Sequence, residues 1–471
     1  MLTIVQPRLV LADPHNATDN PDALAVLDAV YDTLVRRTDK GFVPCLASAF
    51  EVDGEGRVWT FRLAGGVVFH DGTPLDAEAV VATLQRMARP DMGVTLGAPG
   101  VYAQYLTGAE ITAPDPATVR IALAAPMSDL LDILCYGYVA APHVLNDPVA
   151  RPVGSGPYRV ESVGPDEIRL ARHEAHHEGR PAFSGILFRR EPDAGARLAA
   201  LASGTADVAV RIPHDAQVPG ATMVDHMEPT VVIYIFNVAR GRLADSRIRR
   251  ALNLAIDRER LVEAVLGGNG VPLFGPFSRV HPGHVPPTGE AADPDAARAL
   301  LAEAGAEGLA IEVDTPTRLP DEAEALTAEI ARQLSRIGVT LDVRRIEDRV
   351  AYAHMVRLGE VRDMCVFDSS PMSTYRVLRE KVDARHQGSW WLGYHNGEAE
   401  ALIEEAARTP DDAARHALFR RIHGILVADP PWLFCYCETH RTGIAGDHPG
   451  WTMRHDGVLD VRTLPASPER A

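Results

Sequence analysis

The chain has 471 residues, of which 46% are hydrophobic and 24% are charged, a composition typical of folded globular proteins that excludes disordered, collagen-like and mucin-like chains. At about 150 residues per domain, this length predicts about three structural units, or two large lobes with an insertion. The formal net charge of −17 disfavours nucleic acid or an anionic membrane surface as the main partner and favours a cationic or amine-bearing ligand.

The first half of the chain alternates strands with helices. Trp59, Phe61 and Leu63 recur at period two and predict a strand, after which glycine turns lead to a helix over 75–87. A glycine-rich turn at Gly154 and Gly156 precedes two strands, and a helical pattern follows over 193–201. Because a strand and not a helix follows these glycines, the sequence predicts a tight turn and not a phosphate-binding loop.

The second half carries the clearest helix signals. An apolar strand over 230–238 precedes two helices, with Asp245 or Ser246 capping the first, Asp257 capping the second and Gly267 ending it. Asp293 precedes a further helix. A strand over 309–315, a helix over 322–337 and a strand over 339–346 predict a β-α-β unit, and another helix begins near residue 409. The mixture indicates an α/β or α+β fold.

Cysteine content and hydropathy restrict the class of protein further. The five cysteines are odd in number and sparse, so no disulfide framework is predicted, and Cys435 and Cys437 are interpreted as buried thiols and not as a metal site. The longest apolar stretches, 130–141 and 231–236, are far shorter than the ~20 residues of a membrane span. The N-terminus shows no secretory signal, so either a signal was removed or the protein stays inside the cell.

The segment from His173 to His177 matches the zinc-protease pattern H-E-x-x-H. That chemistry needs both histidines on one helical face, with Glu174 as the general base. Here the segment follows an alternating strand and runs into Gly179 and Pro181. The sequence therefore favours a solvated histidine-rich loop over a zinc hydrolase.

A second segment has the features of a ligand-binding edge. Asp368 ends an apolar strand at the start of a polar turn, where its carboxylate either points into a crevice or caps the turn. Trp390, Trp391, Tyr394 and His395 follow within a short span. Such aromatic residues either belong to the core or form the wall of a binding site.

Taken together, these stretches closely resemble the extracellular solute-binding proteins of ABC importers, the group that includes dipeptide, oligopeptide and nickel receptors. The resemblance extends nearly from end to end and is carried by WTFRLAGGVVFHDGTPLDAEAVVATLQR from Trp59, VGSGPYRV from Val153, DSRIRRALNLAIDRERLV from Asp245, DPDAARALLAEAG from Asp293 and IARQLSRIGVTLDV from Ile330.

The resemblance implies an α/β periplasmic binding protein of type II, cluster C. Two lobes would close on a ligand like a clamshell, with an extra subdomain inserted in the first lobe. Lobe I is expected to comprise residues 1–35, 152–237 and 437–471, the inserted subdomain 36–151, and lobe II 238–436. The same resemblance implies a periplasmic location, a membrane ABC permease as partner, a monomeric state and no cofactor, enzymatic activity or nucleic-acid partner.

The ligand-binding residues follow from the same resemblance. In peptide-binding members an aspartate in a turn before a proline binds the ligand's ammonium group, and the matching residue is Asp368. Because the turn that Asp368 begins runs Asp-Ser-Ser-Pro and is not of the usual D-Y-x-D-P type, both peptides and compact amine-bearing solutes such as opines are expected ligands. The remaining expected ligand contacts are Trp391, Tyr394, Asn396, Phe236, Asn237, Arg362 and His395.

Two of these assignments leave alternatives open. Strand alternation would place Arg362 and Asp368 on one face, so Arg362 binds either a ligand carboxylate or Asp368 itself. His395 would serve a nickel or metal-chelate receptor, which is the alternative function within the same fold. A zinc hydrolase at His173, Glu174 and His177 is a further alternative, and an intracellular sensor on the same fold is another.

Overall fold

The chain folds into two units, of which the first is formed by two segments and the second by one. The computed structural model describes residues 1–16, 19–93, 100–287, 291–317, 321–388 and 390–465. Unit 1 consists of Met1–Met227 and His440–Ala471, and unit 2 of Glu228–Thr439. No helix within these described ranges is both long and apolar enough to span a membrane. The expected lobe boundaries and the inserted subdomain stay predictions.

Unit 1 contains a mixed sheet and a separate antiparallel sheet. In the first sheet β1 pairs in parallel with β10 and with β11, and β9 and β8 extend it beyond β10. In the second the order is β4-β5-β7-β6. The strands are β1 Leu2–Gln6, β2 Val35–Thr38, β3 Gly41–Pro44, β4 Ala47–Val52, β5 Val58–Leu63, β6 Glu110–Asp115, β7 Thr118–Ala122, β8 Tyr158–Val163, β9 Glu167–Arg172, β10 Gly185–Arg190, β11 Val208–Ile212 and β12 Ala221–Met227.

The helices of unit 1 begin where the sequence supplies caps. Asn20, Asp76 and Asp193 each accept first-turn amide hydrogens, and Pro21 occupies the first turn of the first helix, where no amide hydrogen is required. The predicted strand with Trp59, Phe61 and Leu63 facing the core is confirmed. The helices are α1 Pro21–Val30, α2 Ala77–Met87, α3 Ala103–Leu106, α4 Leu131–Leu134 and α5 Ala194–Ala202.

Unit 2 is built on one sheet with helices packed against it. The order β16-β15-β17-β13-β18 starts with parallel pairs and continues with antiparallel ones. The strand β14 pairs with β18. The strands are β13 Val231–Phe236, β14 Gly270–Pro272, β15 Ala310–Pro316, β16 Thr340–Ile346, β17 Met364–Ser369 and β18 Trp432–Ala445, whose last residues belong to unit 1.

The helix predictions for this unit are confirmed with small shifts. Asp245, Asp257 and Asp293 cap their helices as expected, and Gly267 adopts a left-handed conformation at the end of the second. The helix expected from residue 409 begins three residues later, with Asp411 as its cap. The helices are α6 Ser246–Leu254, α7 Arg258–Leu266, α8 Pro294–Glu303, α9 Ala323–Ser335, α10 Arg349–Arg357, α11 Thr374–Lys381, α12 Gly397–Ala407 and α13 Asp412–Ala428.

Candidate functional site

Asp368 lies near the carboxyl end of β17. It pairs with Val232 of β13, which pairs in turn with Tyr436 of β18. Because laterally paired residues point to the same face of a sheet, Asp368 and Tyr436 share a face. The strand β17 runs parallel to β15, so Asp368 lies at the edge where parallel strands end, which is where open α/β sheets bind ligands.

A second carboxylate accompanies Asp368 at this edge. Glu322 directly precedes α9, and the Tyr436 hydroxyl donates a hydrogen bond to Glu322 Oε1 at 2.7 Å. Burial raises the pKa of Glu322, and the negative charges of Asp321 and Asp368 act in the same direction, against the hydrogen bond from Tyr436. Asp368, Glu322 and Tyr436, hereafter the acidic cluster, therefore form an environment that a ligand cation would stabilise.

The two tryptophans occupy different environments. Trp390 is buried and packs on Phe367, with ring centroids 4.5 Å apart. Because Phe367 precedes Asp368 in β17, its side chain points to the opposite face from the acidic cluster. Trp391 is partly buried, and its indole Nε1 donates to the Tyr394 carbonyl at 2.6 Å. Trp390 is thus a core residue, and a binding role for Trp391 stays a prediction.

Tyr394 and Asn396 are held by one carboxylate. The Tyr394 hydroxyl donates to Asp429 Oδ2 at 3.2 Å, and Asn396 Nδ2 donates to the same oxygen at 3.1 Å. The buried Arg249 pairs with the other oxygen of Asp429. Asn396 also caps α12. Asn396 therefore stabilises the start of α12, whereas Tyr394 bonds to the residue that ends α13. The expected ligand contacts of both residues stay predictions.

His395 projects outward between these two residues. Its side chain is 70% exposed, and its Nδ1 lies 2.7 Å from Glu400 Oε1. One carboxylate partner at an exposed position is the ordinary environment of a surface histidine. The expected role of His395 in holding a metal chelate stays a prediction.

The structure corrects the interpretation of Arg362. The strand begins at Met364, so Arg362 lies outside it, and its Nε donates to Asp314 Oδ1 at 2.9 Å. Its Nη1 also pairs with Asp342 at 3.2 Å. The expectation that Arg362 and Asp368 share one strand is therefore wrong, and Arg362 forms ion pairs with Asp314 and Asp342.

Phe236 and Asn237 lie at the other end of the strand pair. Phe236 pairs with Met364, four residues from Asp368, which corresponds to about 14 Å along a strand. The Phe236 side chain is 1% exposed within the core of unit 2. Asn237 Nδ2 donates to the carbonyls of Val361 and Arg362. The expected ligand contacts of both residues stay predictions.

The structure thus separates the expected binding residues into groups. Asp368 lies with Glu322 and Tyr436, neither of which was selected from the sequence. Glu322 carried a usable signal, because it stands between a parallel strand and the helix that follows, a frequent place for ligand groups. Tyr436 carried none, since it lies in an uninterrupted apolar strand.

The histidine-rich segment is a loop, as predicted, but the prediction that it is solvated is wrong. His173 and His176 are buried, whereas the Glu174 side chain is 65% exposed and pairs with Arg180.

The tight turn at Gly154 is explained by packing, because a Cβ there would lie 2.2 Å from the Val30 carbonyl oxygen.

The interpretation of Cys435 and Cys437 as buried thiols is confirmed, and the other three cysteines are buried as well. Each thiol is free and buried. In β18, burial raises the pKa of both Cys435 and Cys437 to about 12. These thiols are therefore neutral core groups at ordinary pH.

Comparisons with known proteins agree on one family. The model of "Bacterial extracellular solute-binding proteins, family 5 Middle" matches residues 41–375. The glutathione-binding protein GsiB of Pectobacterium atrosepticum is 24% identical over 90% of this chain and 86% of its own length. The structure of HbpA2 from Haemophilus parasuis superposes with a TM-score of 0.82 at 21% identity, covering 97% of this chain and 98% of that one.

A third comparison is with a protein in complex with agropinic acid. The binding protein AgaA from A. tumefacien R10 superposes with a TM-score of 0.78 at 20% identity, covering 98% of this chain and 96% of that one. At these identities the solved structures establish the fold, which is the two-lobed α/β fold of periplasmic binding proteins. Because the family model covers most of the sequence, the chain belongs to the bacterial extracellular solute-binding proteins, family 5.

Proposed function

We propose that this protein is the periplasmic, non-enzymatic receptor of an ABC importer, and that it captures a small amine-bearing solute and delivers it to a membrane permease. The observation that carries the proposal is the position of Asp368 beside Glu322 and Tyr436, at the edge where the parallel strands of unit 2 end. The family match supports the transport role, and the receptor is proposed to act as a monomer.

The chemistry of the acidic cluster favours an ammonium group. Two neighbouring carboxylates in a partly buried site repel one another; burial is the main cause of the raised pKa of Glu322, and the charge of Asp368 acts in the same direction. An ammonium placed between them would relieve that repulsion and would accept no hydrogen bond, so it can only donate to the carboxylates. A neutral sugar carries no positive charge to balance the two carboxylates.

Relatives support both of the solute classes that the sequence allows. One relative is named a glutathione-binding protein, and one structural neighbour is in complex with agropinic acid. We propose that the solute of this protein is a short peptide or an opine-like amino-acid derivative, bound through its amine to Asp368.

The proposal is tested by calorimetric titration with paired ligands that differ only at the amine. We expect glutathione or another short peptide with a free amine to bind, and the N-acetylated form to bind at least about 100-fold more weakly, as expected for loss of one partner of a buried charge pair. Asp368→Asn should cause a similar loss. Asp342→Asn, which alters a 73% exposed carboxylate of the same unit, is the matched control. Equal binding of free and acetylated forms would contradict the proposal.

A further inference from the structure

Metal-ligating side chains converge in unit 1, whereas the acidic cluster belongs to unit 2. Asp32 follows α1, Cys45 lies between β3 and β4, and His177 lies in the loop between β9 and β10. A carboxylate oxygen, a sulfur and an imidazole nitrogen from these residues all lie within 4.8 Å of one another. The Asp32 and His177 side chains are 0% and 9% exposed, so the group is enclosed by protein.

The carboxylate of Asp32 is held in place from two sides. Arg462 Nη2 donates to Asp32 Oδ1 at 2.7 Å, and Ser155 Oγ donates to Asp32 Oδ2 at 3.1 Å. The Cys45 thiol lies beside the same carboxylate, with Sγ 3.7 Å from Asp32 Oδ1. Metal ligands in proteins are commonly oriented by such surrounding hydrogen bonds.

Two imidazole nitrogens face this carboxylate without a hydrogen bond. Within the described part of the chain, Nε2 of His176 and Nε2 of His177 have no hydrogen-bond partner. The side chains are only 4% and 9% exposed, and the nitrogens lie 3.4 and 3.3 Å from Asp32 Oδ2. Buried polar atoms nearly always have a partner. Asp32 is within ion-pair distance of both nitrogens, and a cation bound between His177 Nε2 and Asp32 Oδ2 would give both atoms a stronger partner.

Two of the separations from Asp32 are in the range of tetrahedral coordination. Zinc binds nitrogen and carboxylate oxygen at about 2.0–2.2 Å and sulfur at about 2.3 Å, so neighbouring donors on a tetrahedron are about 3.3–3.8 Å apart. His177 Nε2 lies 3.3 Å from Asp32 Oδ2, and Cys45 Sγ lies 3.7 Å from Asp32 Oδ1, the other oxygen of the carboxylate. Because the donor atoms of the three residues all lie within 4.8 Å of one another, an ion bound between them requires them to move closer together.

We propose that unit 1 binds one zinc-class divalent cation through Asp32, Cys45 and His177. Binding requires Cys45 to lose its proton to solvent, since the thiolate is the ligand. The thiolate and the Asp32 carboxylate then supply two negative charges against the two positive charges of the ion. Arg462 stays bound to the far oxygen of the carboxylate.

The site is structural and differs from a zinc-hydrolase site. Glu174, the base that such an enzyme would need, is exposed and paired with Arg180. The three ligands come from the segment after α1, the β3–β4 connection and the loop after β9. One ion would join these three segments, so we expect metal binding to stabilise unit 1.

The test uses the full chain after removal of metal with a chelator. Titration with Zn²⁺ against a chromophoric competitor should give one ion per chain, and Co²⁺ should give the charge-transfer absorption of a thiolate ligand. Cys45→Ala and His177→Gln should each weaken Zn²⁺ binding at least about tenfold and remove or shift the cobalt spectrum. Circular dichroism without metal checks that both variants fold.

Matched controls distinguish loss of this site from a general effect of removing a buried thiol or imidazole. Cys135→Ala removes another buried thiol of unit 1, and His173→Gln removes a neighbouring buried imidazole that bonds the Gly156 carbonyl. Both should bind Zn²⁺ as the unaltered chain does, and so should Asp368→Asn, which tests the solute site alone. No stoichiometric Zn²⁺ binding, or equal binding by Cys45→Ala and His177→Gln, would overturn the proposal.

Discussion

Substitution of Arg362 should have different effects according to the structure and the sequence. The structure predicts a loss of stability, whereas one interpretation of the sequence predicts weaker binding of a ligand carboxylate. Asp314 has a side chain that is 0% exposed, and its oxygens accept hydrogen bonds from Arg344 and from Arg362. Burial by itself would raise the pKa of Asp314, but the hydrogen bonds from the two arginines hold the pKa below its usual value. Arg362 therefore neutralises a buried charge in this structure.

We expect Arg362→Gln to lower the free energy of unfolding by about 2 kcal/mol at neutral pH. Loss of one charge-assisted hydrogen bond to a buried carboxylate costs about 1.5–3 kcal/mol. The larger penalty of about 3–5 kcal/mol for an unpaired buried charge does not apply in full, because Arg344 remains bound to Asp314. Solute affinity should be unchanged.

The assay is equilibrium urea unfolding, read as a shift in midpoint at constant slope. Arg345→Gln is the control, since Arg345 is 70% exposed and pairs with an exposed Glu324; its effect should stay within about 0.5 kcal/mol. Because the pKa of Asp314 is depressed in the folded state, its stabilising contribution is present above the ordinary aspartate pKa of 3.8 and is lost as pH falls through the folded value. An Arg362→Gln variant with wild-type stability and weakened solute binding would refute this reasoning.

Two further predictions concern stability. Burial lowers the pKa of His15 and of His423 from 6.5 to about 4. These histidines fold in the neutral form, so stability should be full above pH 6.5 and should decline as pH falls toward 4, by up to about 3 kcal/mol per residue. A melting temperature that is constant over this range would contradict the prediction. Gly154→Ala should destabilise unit 1 by more than about 2 kcal/mol, because its Cβ would meet the Val30 carbonyl. Gly54→Ala, which meets nothing within 4 Å, should have little effect in the same urea assay.

The sequence predicts the local elements well where caps and periodicity agree. Asp245, Asp257 and Asp293 begin their helices as expected, because a carboxylate followed by an amphipathic run is a strong local signal. Strand length is less well specified, since the apolar pattern alone does not say where pairing begins. The start of β17 is an example: the apolar pattern places Arg362 on the strand, whereas in the structure the strand begins after it, at Met364.

The candidate site is less predictable because its partners come from distant segments. Asp368 stands out from the sequence as a carboxylate after an apolar strand. Its neighbours Glu322 and Tyr436 belong to a helix start and to a separate strand, and only the sheet order brings the three together. The contact between His177 and Asp32 was not predictable for the same reason, because tertiary packing and not sequence spacing brings the two residues together.

Native mass spectrometry of the purified protein, with identification of any small molecule released from it, tests the central claim most directly. A closed binding protein retains a tight ligand, so we predict a bound species with a primary or secondary amine that is absent from Asp368→Asn. A neutral sugar, or any species retained equally by Asp368→Asn, would contradict the assignment of Asp368 as the ligand-binding carboxylate.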